Sequence, residues 1–399
     1  MKLPKEWIQS ELSELAKINP ETLGTITSRD FPFRYIDLSC VNEGRIDVPS
    51  GRITFAEAPS RARRIVAKND ILMSMVRPTL YGHALVPSSP ADWIASTGFA
   101  VIRCTGIEPA FAFHCLFGHQ ITSQLQRLLV GSNYPAINSS DVEQLVFTLP
   151  KSVPEQRKIA DILSTWDEAL ETLDALIAAK ARRKQALMQQ LLTGRKRVKG
   201  AAGTWKKVRM SEVLERVFRP IDWHPDLDLN LISLRRRCGG LFRRPEVKGS
   251  EYKTQDLHEI RSGDFLISKR QVVHGAWGLV TPAFEGGHVS KEYAILDNRA
   301  PDKLHMPFFA WLAQTRRLIR LARVSSTGVH IEKLIFDPDV FLRESIRLPA
   351  DLAEQEKIAT ILDTADQELT LLRGRRETLD QQKRGLMQRL LTGKIRVSA

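Results

Sequence analysis

The sequence predicts an α+β chain with a pseudo-two-fold internal repeat, in which two globular domains are joined and spaced by two long antiparallel α-helices that form a coiled coil. Three observations lead to this prediction. A segment returns at a constant offset, its apolar residues follow a heptad pattern, and basic residues outnumber acidic ones. The first two observations describe the architecture, and the third indicates the kind of partner.

The repeat is clearest between residues 149–198 and 348–397, which align without a gap at an offset of 199, with roughly half of the positions identical. A weaker match aligns Trp7 with Trp205. Chance similarity between two helices does not explain an ungapped match of this length. The predicted boundaries are a first globular domain at 1–148, a central helical region at 149–199, a second globular domain at 200–347 and a distal helical region at 348–399.

Each repeated segment predicts a helix of about 40 residues, or about 60 Å at 1.5 Å per residue. Gly194 and Gly393, each after Leu-Leu-Thr, occupy the position of a left-handed helix cap. A helix this long with one apolar stripe needs a partner that covers the stripe. The other copy is the predicted partner, and a coiled coil with a second chain stays open as the alternative. The stripe consists of Ile159, Leu163, Trp166, Leu170, Leu173, Ile177, Leu187, Leu191, Ile358, Leu362, Ala365, Leu369, Leu372, Leu379, Leu386 and Leu390.

Four basic residues interrupt the apolar stripe near its middle. They are Lys180 and Lys184 in the first helix and Arg376 and Lys383 in the second. Charged residues within such a seam lower stability and commonly fix the register of pairing. We therefore expect these four residues to specify how the helices pair.

Composition indicates a folded cytoplasmic protein with a polyanionic partner. Lysine and arginine total 59 against 46 aspartate and glutamate residues, so the net charge is +13 and the pI is about 9.7, which favours nucleic acid. The four cysteines lack zinc-type spacing, and the sequence contains neither a signal peptide nor an apolar run of about 18 residues. These patterns argue against a disulfide framework, a structural metal and membrane insertion.

Clusters of arginine and lysine occur in both globular domains, next to polar residues able to read bases. Arginine makes bidentate contacts with phosphate and with guanine edges. Two similar readers on a rigid spacer would recognise two short DNA sequences separated by unread bases. For any single cluster, a solvated basic surface is the alternative. The candidate DNA-binding residues are Arg61, Arg63, Arg64, Lys68, Arg77, Asn133, Tyr134, Arg235, Arg236, Arg243, Arg244, Lys269, Arg270, Gln271 and Lys291.

The whole chain resembles the specificity subunit of type I restriction-modification enzymes. The motif Leu-Pro-x(4)-Glu-Gln-x-Lys-Ile-Ala-x-Ile-Leu begins at Leu149 and Leu348, and Leu-Met-Gln-x-Leu-Leu-Thr-Gly begins at Leu187 and Leu386. Segments of the globular domains, such as residues 64–78 and 263–270, are also similar to family sequence. The resemblance covers essentially the full chain.

This resemblance implies two target-recognition domains, each of which reads one half of a bipartite target in double-stranded DNA. It implies that the helices set the spacer and dock two methyltransferase subunits, and that restriction or translocase subunits join the complex. The specificity subunit itself is expected to bind no cofactor, whereas the partner subunits use S-adenosylmethionine, ATP and magnesium.

The sequence lacks the common catalytic motifs. We find no phosphate-binding loop, no His-Glu-x-x-His pair, no nucleophile elbow and no methyltransferase Asn/Asp-Pro-Pro-aromatic motif. A hidden nuclease set around Asp70, Asp264 or Glu292 with Lys291 stays open as a minor alternative. Two further functions stay open as well: the DNA-recognition subunit of another two-chain restriction or methylation enzyme, and a coiled-coil scaffold without sequence recognition.

Overall fold

The computed structural model describes residues 3–87, 92–131 and 135–398, which form two compact units. The first unit is Met1–Ala175 with Gly374–Ala399, and the second is Leu176–Arg373. Each unit combines one globular domain with the first part of one long helix and the last part of the other.

The globular part of the first unit mixes strands with short helices. Its described strands are β1 (Trp7–Glu11), β2 (Ala16–Ile18), β3 (Pro32–Ile36), β4 (Val41–Asn42), β5 (Arg45–Ile46), β6 (Ile53–Thr54), β7 (Ala62–Ile65), β8 (Ile71–Ser74), β9 (His83–Leu85), β10 (Trp93–Ser96), β11 (Phe99–Cys104) and β12 (Val146–Pro150). Its helices are α1 (Leu12–Leu15), α2 (Pro109–Leu116), α3 (His119–Leu128) and α4 (Ser139–Glu143), and the long helix α5 (Val153–Leu191) begins here. Two sheets have the orders β6-β3-β10-β7 and β2-β11-β8-β9, and β1 pairs antiparallel with β12.

The second unit repeats most of this arrangement. Its described strands are β13 (Trp205–Arg209), β14 (Leu214–Val217), β15 (Asp228–Leu229), β16 (Ile232–Leu234), β17 (Leu241–Arg243), β18 (Val247–Lys248), β19 (Leu257–Ile260), β20 (Phe265–Ser268), β21 (Trp277–Leu279), β22 (Gly287–Ser290), β23 (Tyr293–Asn298), β24 (Ser326–Thr327), β25 (Ile335–Phe336) and β26 (Ser345–Pro349). Its helices are α6 (Met306–Ala313), α7 (Arg316–Val324), α8 (Pro338–Arg343) and the long helix α9 (Leu352–Leu390). The sheet β14-β23-β20-β21 matches β2-β11-β8-β9, and β13 pairs with β26 as β1 does with β12.

The two long helices have 39 residues each, close to the predicted length. Gly194 and Gly393 follow them with φ of +70° and +67°, in the left-handed region that favours glycine. A Cβ at either position would also come within 3.0 Å of an indole ring, that of Trp205 or Trp7 respectively. Conformation and close packing together account for the repeated glycine and the repeated tryptophan.

The repeated Glu-Gln pair at the start of each long helix has a structural role. Glu155 is buried and accepts hydrogen bonds of 2.6 and 2.9 Å from Arg396, and Glu354 is buried and accepts bonds of 2.5 and 2.7 Å from Arg197. Each arginine follows the end of the other long helix, so every bidentate pair closes one unit.

The glutamine of the same motif fastens the helix to the strand before it. The Gln156 side chain donates to the carbonyl of Pro150 at 2.8 Å, and Gln355 donates to the carbonyl of Pro349 at 3.1 Å. Both glutamines are buried. The amide side chain thereby satisfies a carbonyl that the turn into the helix would leave without a donor.

Within each unit, the ion pairs between the two helix segments follow an antiparallel order. Every residue of the predicted apolar stripe is buried or half-buried. Each of the four basic residues in the apolar stripe pairs with a carboxylate of the other helix. Within each unit, the residue numbers of the partners on one helix fall as those on the other helix rise. The pairs are Lys383 with Asp167 and Arg376 with Asp174 in the first unit, and Lys180 with Glu368 and Lys184 with Asp366 in the second.

Each unit has its own buried core beneath these helices. In the first unit, Phe111 and Phe147 pack with Leu163 of α5 and Leu390 of α9. In the second unit, aromatic residues of β20, β21 and α6 pack with Leu191 of α5 and with Leu362 of α9. No helix formed by the described residues is both long enough and apolar enough to cross a membrane.

Candidate nucleic-acid interface

The first predicted cluster lies at strand β7, at the edge of its sheet. Its arginines do not all point to the same face of that sheet. Neighbouring residues of a strand point to opposite faces, so Arg63 and Arg64 do not form one surface. Arg63 lies over the ring of Phe55 at 4.6 Å. Arg64 is half-buried, and burial lowers its pKa. Arg61 is exposed and has no side-chain partner among the described residues.

The remaining candidates of the first unit follow two loops. Lys68 is exposed. Arg77 is also exposed, has a left-handed backbone with φ of 49°, and donates its N–H to the carbonyl of Pro135 at 2.8 Å. Asn133 and Tyr134 lie outside the described residues.

In the second unit, an arginine-rich turn connects β16 and β17. Its backbone is unusual, since Arg237 and Cys238 have φ of 57° and 55°. Two hydrogen bonds hold it in this shape: the N–H of Arg237 donates to the carbonyl of His274 at 2.7 Å, and that of Cys238 to the carbonyl of Gly275 at 2.8 Å. Left-handed conformations at non-glycine residues persist where the surroundings impose them. The turn, residues 235–240, is therefore a fixed platform for exposed arginines.

The arginine side chains at this turn have different neighbours. Arg236 approaches Glu332 at 3.9 Å, and both are exposed, whereas Arg235 lies over the ring of Phe242 at 4.7 Å. Next to the turn, the side-chain oxygen of Gln271 is buried and has no hydrogen-bond partner among the described residues. A buried acceptor without a donor costs free energy, and an exocyclic amino group of a base supplies such a donor.

Arg243 and Arg244 have structural partners. Arg243 donates to the side chain of Asn230 and to the carbonyl of Ala283, which fixes the hairpin to neighbouring loops. Arg244 lies 3.5 Å from the hydroxyl of Tyr252. Because these contacts engage their guanidinium groups, the two arginines are weaker candidates for DNA contact than Arg236.

The last group of predicted residues lies after β20 and at the end of β22. Arg270 donates to Glu292 at 2.5 Å, and this hydrogen bond raises the pKa of Arg270. Lys269 donates to the carbonyl of Lys291 at 2.6 Å, and Lys291 lies 3.5 Å from Asp256. The structure thus brings Lys269 and Lys291 together.

Two residues that the sequence analysis did not select lie beside this group. Arg216 stacks over the ring of Phe218 at 4.3 Å, and Phe218 is 61% exposed. An exposed aromatic ring with an arginine on its face is a common element of nucleic-acid surfaces. Alternation along β14 was the available signal, since residues two apart in a strand share a face.

A further basic surface is the outer face of α7, whose arginines belong to the sequence clusters of the second globular domain. Arg316, Arg320 and Arg323 are exposed there and have no ion-pair partner among the described residues, while Leu318 and Ala322 on the opposite face are buried. Unpaired cations at helical spacing form a stripe that is suited to follow a phosphate backbone.

The carboxylates considered for a hidden nuclease are occupied. Asp70 and Asp264 are each 1% exposed. Asp70 accepts hydrogen bonds of 2.9 Å from Arg103, and Asp264 accepts bonds of 2.7 and 3.0 Å from Arg219. Glu292 is engaged by Arg270. Across residues 3–87, 92–131 and 135–398, no group of three His, Cys, Asp or Glu side chains is placed to hold a metal ion.

Comparison with known proteins yields consistent similarities. A family model described as the type I restriction modification DNA specificity domain matches residues 4–179. The putative type I restriction enzyme MjaX specificity subunit of Methanocaldococcus jannaschii is 23% identical over 433 residues, covering 99% of this chain and 95% of the relative. The HindI specificity subunit of Haemophilus influenzae is 27% identical over 164 residues, or 38% of this chain and 35% of the relative.

Solved structures are similar over the full length. A chain from a study of complex assembly and conformational transition of the type I R-M system has a TM-score of 0.63 and 25% identity, covering 99% of this chain and 100% of that one. The HsdS subunit from Thermoanaerobacter tengcongensis has a TM-score of 0.52, 25% identity and 99% coverage of both chains. The S subunit from M. genitalium, 14% identical with a TM-score of 0.60 and 98% coverage of both chains, shares the fold.

These matches agree with the repeated motifs and with the two similar units of the chain. Residues 4–179 therefore match the type I restriction modification DNA specificity domain, and the chain is similar over nearly its full length to specificity subunits of type I restriction enzymes.

Proposed function

We propose that this chain is a specificity subunit of a type I restriction-modification system and that each of its units reads one half of a bipartite target in double-stranded DNA. The observation that carries this proposal is the repetition of one fold in two units whose surface arginines differ. The second unit has an arginine turn at 235–240, whereas the corresponding hairpin turn between β4 and β5 in the first unit contains Glu43 and Gly44. One fold with different surface chemistry suits the recognition of two different base sequences.

The two long helices would set the distance between the half-sites as an antiparallel coiled coil. The interhelical ion pairs support this role, because they favour one register over its neighbours. By the family resemblance, the helices also dock two methyltransferase subunits, with restriction or translocase subunits completing the complex. S-adenosylmethionine, ATP and magnesium would then act in those partner subunits.

This chain would supply recognition and leave the chemistry to its partners. The buried ion pairs of Asp70 and Asp264 support that division, because carboxylates that accept from arginine have few lone pairs left for a metal. The DNA-reading surface of the second unit would centre on Arg236 and Gln271, and that of the first on Arg61, Lys68 and Arg77.

The test is to co-express the chain with its methyltransferase partner and to map N6-methyladenine across genomic DNA by single-molecule sequencing. We expect methylation at one split motif with a constant gap between its halves. Methylation that does not depend on the chain, or a single uninterrupted motif, would contradict the proposal.

A matched pair of variants assigns each half-motif to a unit. The double variant Arg236→Ala and Gln271→Ala in the second unit should relax or weaken one half of the motif and leave the other half unchanged. The corresponding double variant in the first unit, Arg61→Ala and Lys68→Ala, should act on the other half only. An equal effect of both variants on the two halves would reject the assignment.

A further inference from the structure

A cavity of about 250 Å³ opens on the second unit, beside the strands β14, β19 and β23. Its wall combines three basic side chains with an aromatic rim. The lining residues that carry the argument are Arg216, Phe218, Asp256, His258, Lys269 and Lys291.

The three basic side chains are not equally neutralised. Lys291 lies 3.5 Å from Asp256, and Arg216 lies 3.5 Å from the exposed Asp339. Lys269 forms no ion pair among the described residues, and its ammonium donates to a backbone carbonyl instead. The cavity therefore keeps an excess of positive charge, centred on Lys269.

This charge lies in an unfavourable environment. Lys269 is half-buried, and burial, followed by the positive charge of Arg216, lowers the pKa of its ammonium group. In the same wall, the Nδ1 atom of His258 is buried without a hydrogen-bond partner among the described residues. Like charges that share a partly buried cavity repel each other, and a bound anion relieves both the repulsion and the missing hydrogen bonds.

The first unit lacks the same charges. Strand pairing aligns β14 with β2, β20 with β8 and β23 with β11, so the residues that correspond to Arg216, Lys269 and Lys291 can be identified. All three are uncharged in the first unit. They are Ile18, Met75 and Thr97.

We propose that this cavity is a phosphate-binding site, specific to the second unit, that receives a phosphate of the DNA backbone. The inference rests on the proposed function. It adds a contact to the DNA backbone that reads no bases, at one half-site only. Lys269 lies at the centre of the site, Lys291 closes one side, and Phe218 holds the guanidinium of Arg216 at the rim. A phosphate contact of this kind fixes the position of the duplex without reading bases.

The test measures the binding of the full chain to a fluorescent DNA duplex by anisotropy between about 50 and 300 mM KCl, a roughly sixfold range of salt over which the Debye length falls about 2.4-fold. The variant Lys269→Met introduces the residue of the first unit. Each lost phosphate contact lowers the slope of log Kd against log salt by about 0.9. We expect that reduction, with weaker binding at low salt, for Lys269→Met.

Two further variants separate the phosphate site from general effects. Lys303→Met removes the same charge from the exposed surface of the same unit and should keep the wild-type slope. Lys269→Arg keeps the charge and should keep most of the slope. Circular dichroism verifies that all three variants fold. A wild-type slope for folded Lys269→Met, or an equal reduction for Lys303→Met, would overturn the proposal.

The outcome is independent of target recognition, because the salt slope needs no known target sequence. A reduced slope together with no split methylation motif would retain the phosphate site and reject the bipartite function. A split methylation motif together with an unchanged slope would retain the bipartite function and reject the phosphate site. Inorganic phosphate, added at the same ionic strength as KCl, tests whether the bound phosphate group comes from DNA or from a free anion. If free phosphate competes but Lys269→Met leaves the salt slope for DNA unchanged, the cavity binds a free anion and the DNA contact is overturned.

Discussion

At the scale of single residues, the two units keep one buried carboxylate and change the arginine that neutralises it. In the first unit, Asp70 pairs with Arg103 of β11, which also binds Glu21. In the second unit, Asp264 pairs with Arg219, which lies after β14 and also approaches Asp297 at 3.2 Å.

The strand alignment shows that these charges have exchanged places. Arg103 corresponds to Asp297, and Glu21 corresponds to Arg219. The arginine and the outer carboxylate are therefore swapped between the two neighbouring strands, while the buried aspartate stays. An unpaired buried carboxylate is costly, so a change on one strand requires a compensating change on the other. This is why the aspartate repeats in the sequence and its arginine does not.

A residue-scale prediction concerns His83, which is fully buried among aromatic rings in the first unit. Burial lowers the pKa of His83 from 6.5 to about 4. Between these values the unfolded chain binds a proton that the folded chain does not, so stability falls as the pH drops below 6.5. From pH 7 to pH 5 this amounts to about 2 kcal/mol. Urea unfolding of wild type and His83→Phe at the two pH values should show that His83→Phe loses this part of the pH dependence.

The control is His119→Gln, which changes an exposed histidine of the same unit and should keep the wild-type pH dependence. Some dependence should persist in His83→Phe, because burial also lowers the pKa of His114 to about 4. An identical pH dependence in His83→Phe and wild type would show that His83 does not titrate in this way.

At the scale of elements, the long helices combine an apolar stripe with charged positions that form ion pairs between the helices. The pair Lys184–Asp366 in the second unit corresponds to Asp167–Lys383 in the first, at the repeat offset. Lys184 also lies over the ring of Trp311 at 4.7 Å, so it connects the helix pair to the globular part of its unit. Each basic residue that interrupts the apolar stripe therefore has an identified carboxylate partner, so the prediction that these residues specify the pairing can be tested at named positions.

At the scale of elements, we predict that exchanging the charges of Lys184 and Asp366 reveals a coupling free energy between them. Lys184→Glu and Asp366→Lys should each destabilise the second unit, because each places like charges together, and the double variant should recover part of the loss. A coupling free energy of about 1 kcal/mol is expected, because Asp366 is about half exposed and solvent screens the pair. Urea unfolding followed by helical circular dichroism measures all four proteins.

The same exchange at Arg384 and Asp380, an ion pair within α9 alone, is the matched control. It should show less coupling, since it joins no second helix. If the exchange at Lys184 and Asp366 shows no coupling beyond that control, the charged interruptions do not select the pairing of the helices.

At the scale of the whole molecule, the proposed spacer depends on helix length. Inserting four residues, as one Leu-Thr-x-x repeat, at the end of α5 adds about 6 Å of helix. With base pairs about 3.4 Å apart, the unread gap should grow by one or two base pairs. Mapping of N6-methyladenine, with the methyltransferase partner present, measures that gap directly. An unchanged gap in an active variant would reject the helices as the spacer.

Much of this molecule could be predicted from the sequence, because its strongest signals are local. The ungapped repeat, the heptad stripe and the glycine caps predicted two helices whose observed length is 39 residues. The motifs starting at Leu149 and Leu348 carried the resemblance to type I specificity subunits, and the similarities to known proteins agree with it. The candidate interface was predicted less well. The DNA-binding role of the clusters stays a prediction: Arg236 is exposed at its turn, whereas Arg63 and Arg64, which the sequence grouped together, lie on opposite faces of β7.

The sequence by itself therefore determined the repeat, the helices, the resemblance to type I specificity subunits and the basic character of the protein, since each depends on periodicity, motif or composition. The tertiary structure decided which arginines are exposed and which are engaged, and that each unit joins the start of one long helix to the end of the other. It also decided that Arg396 closes on Glu155, 241 positions away. Contacts between residues so distant in the chain depend on how the elements pack, and no local pattern of apolar or charged residues encodes that packing.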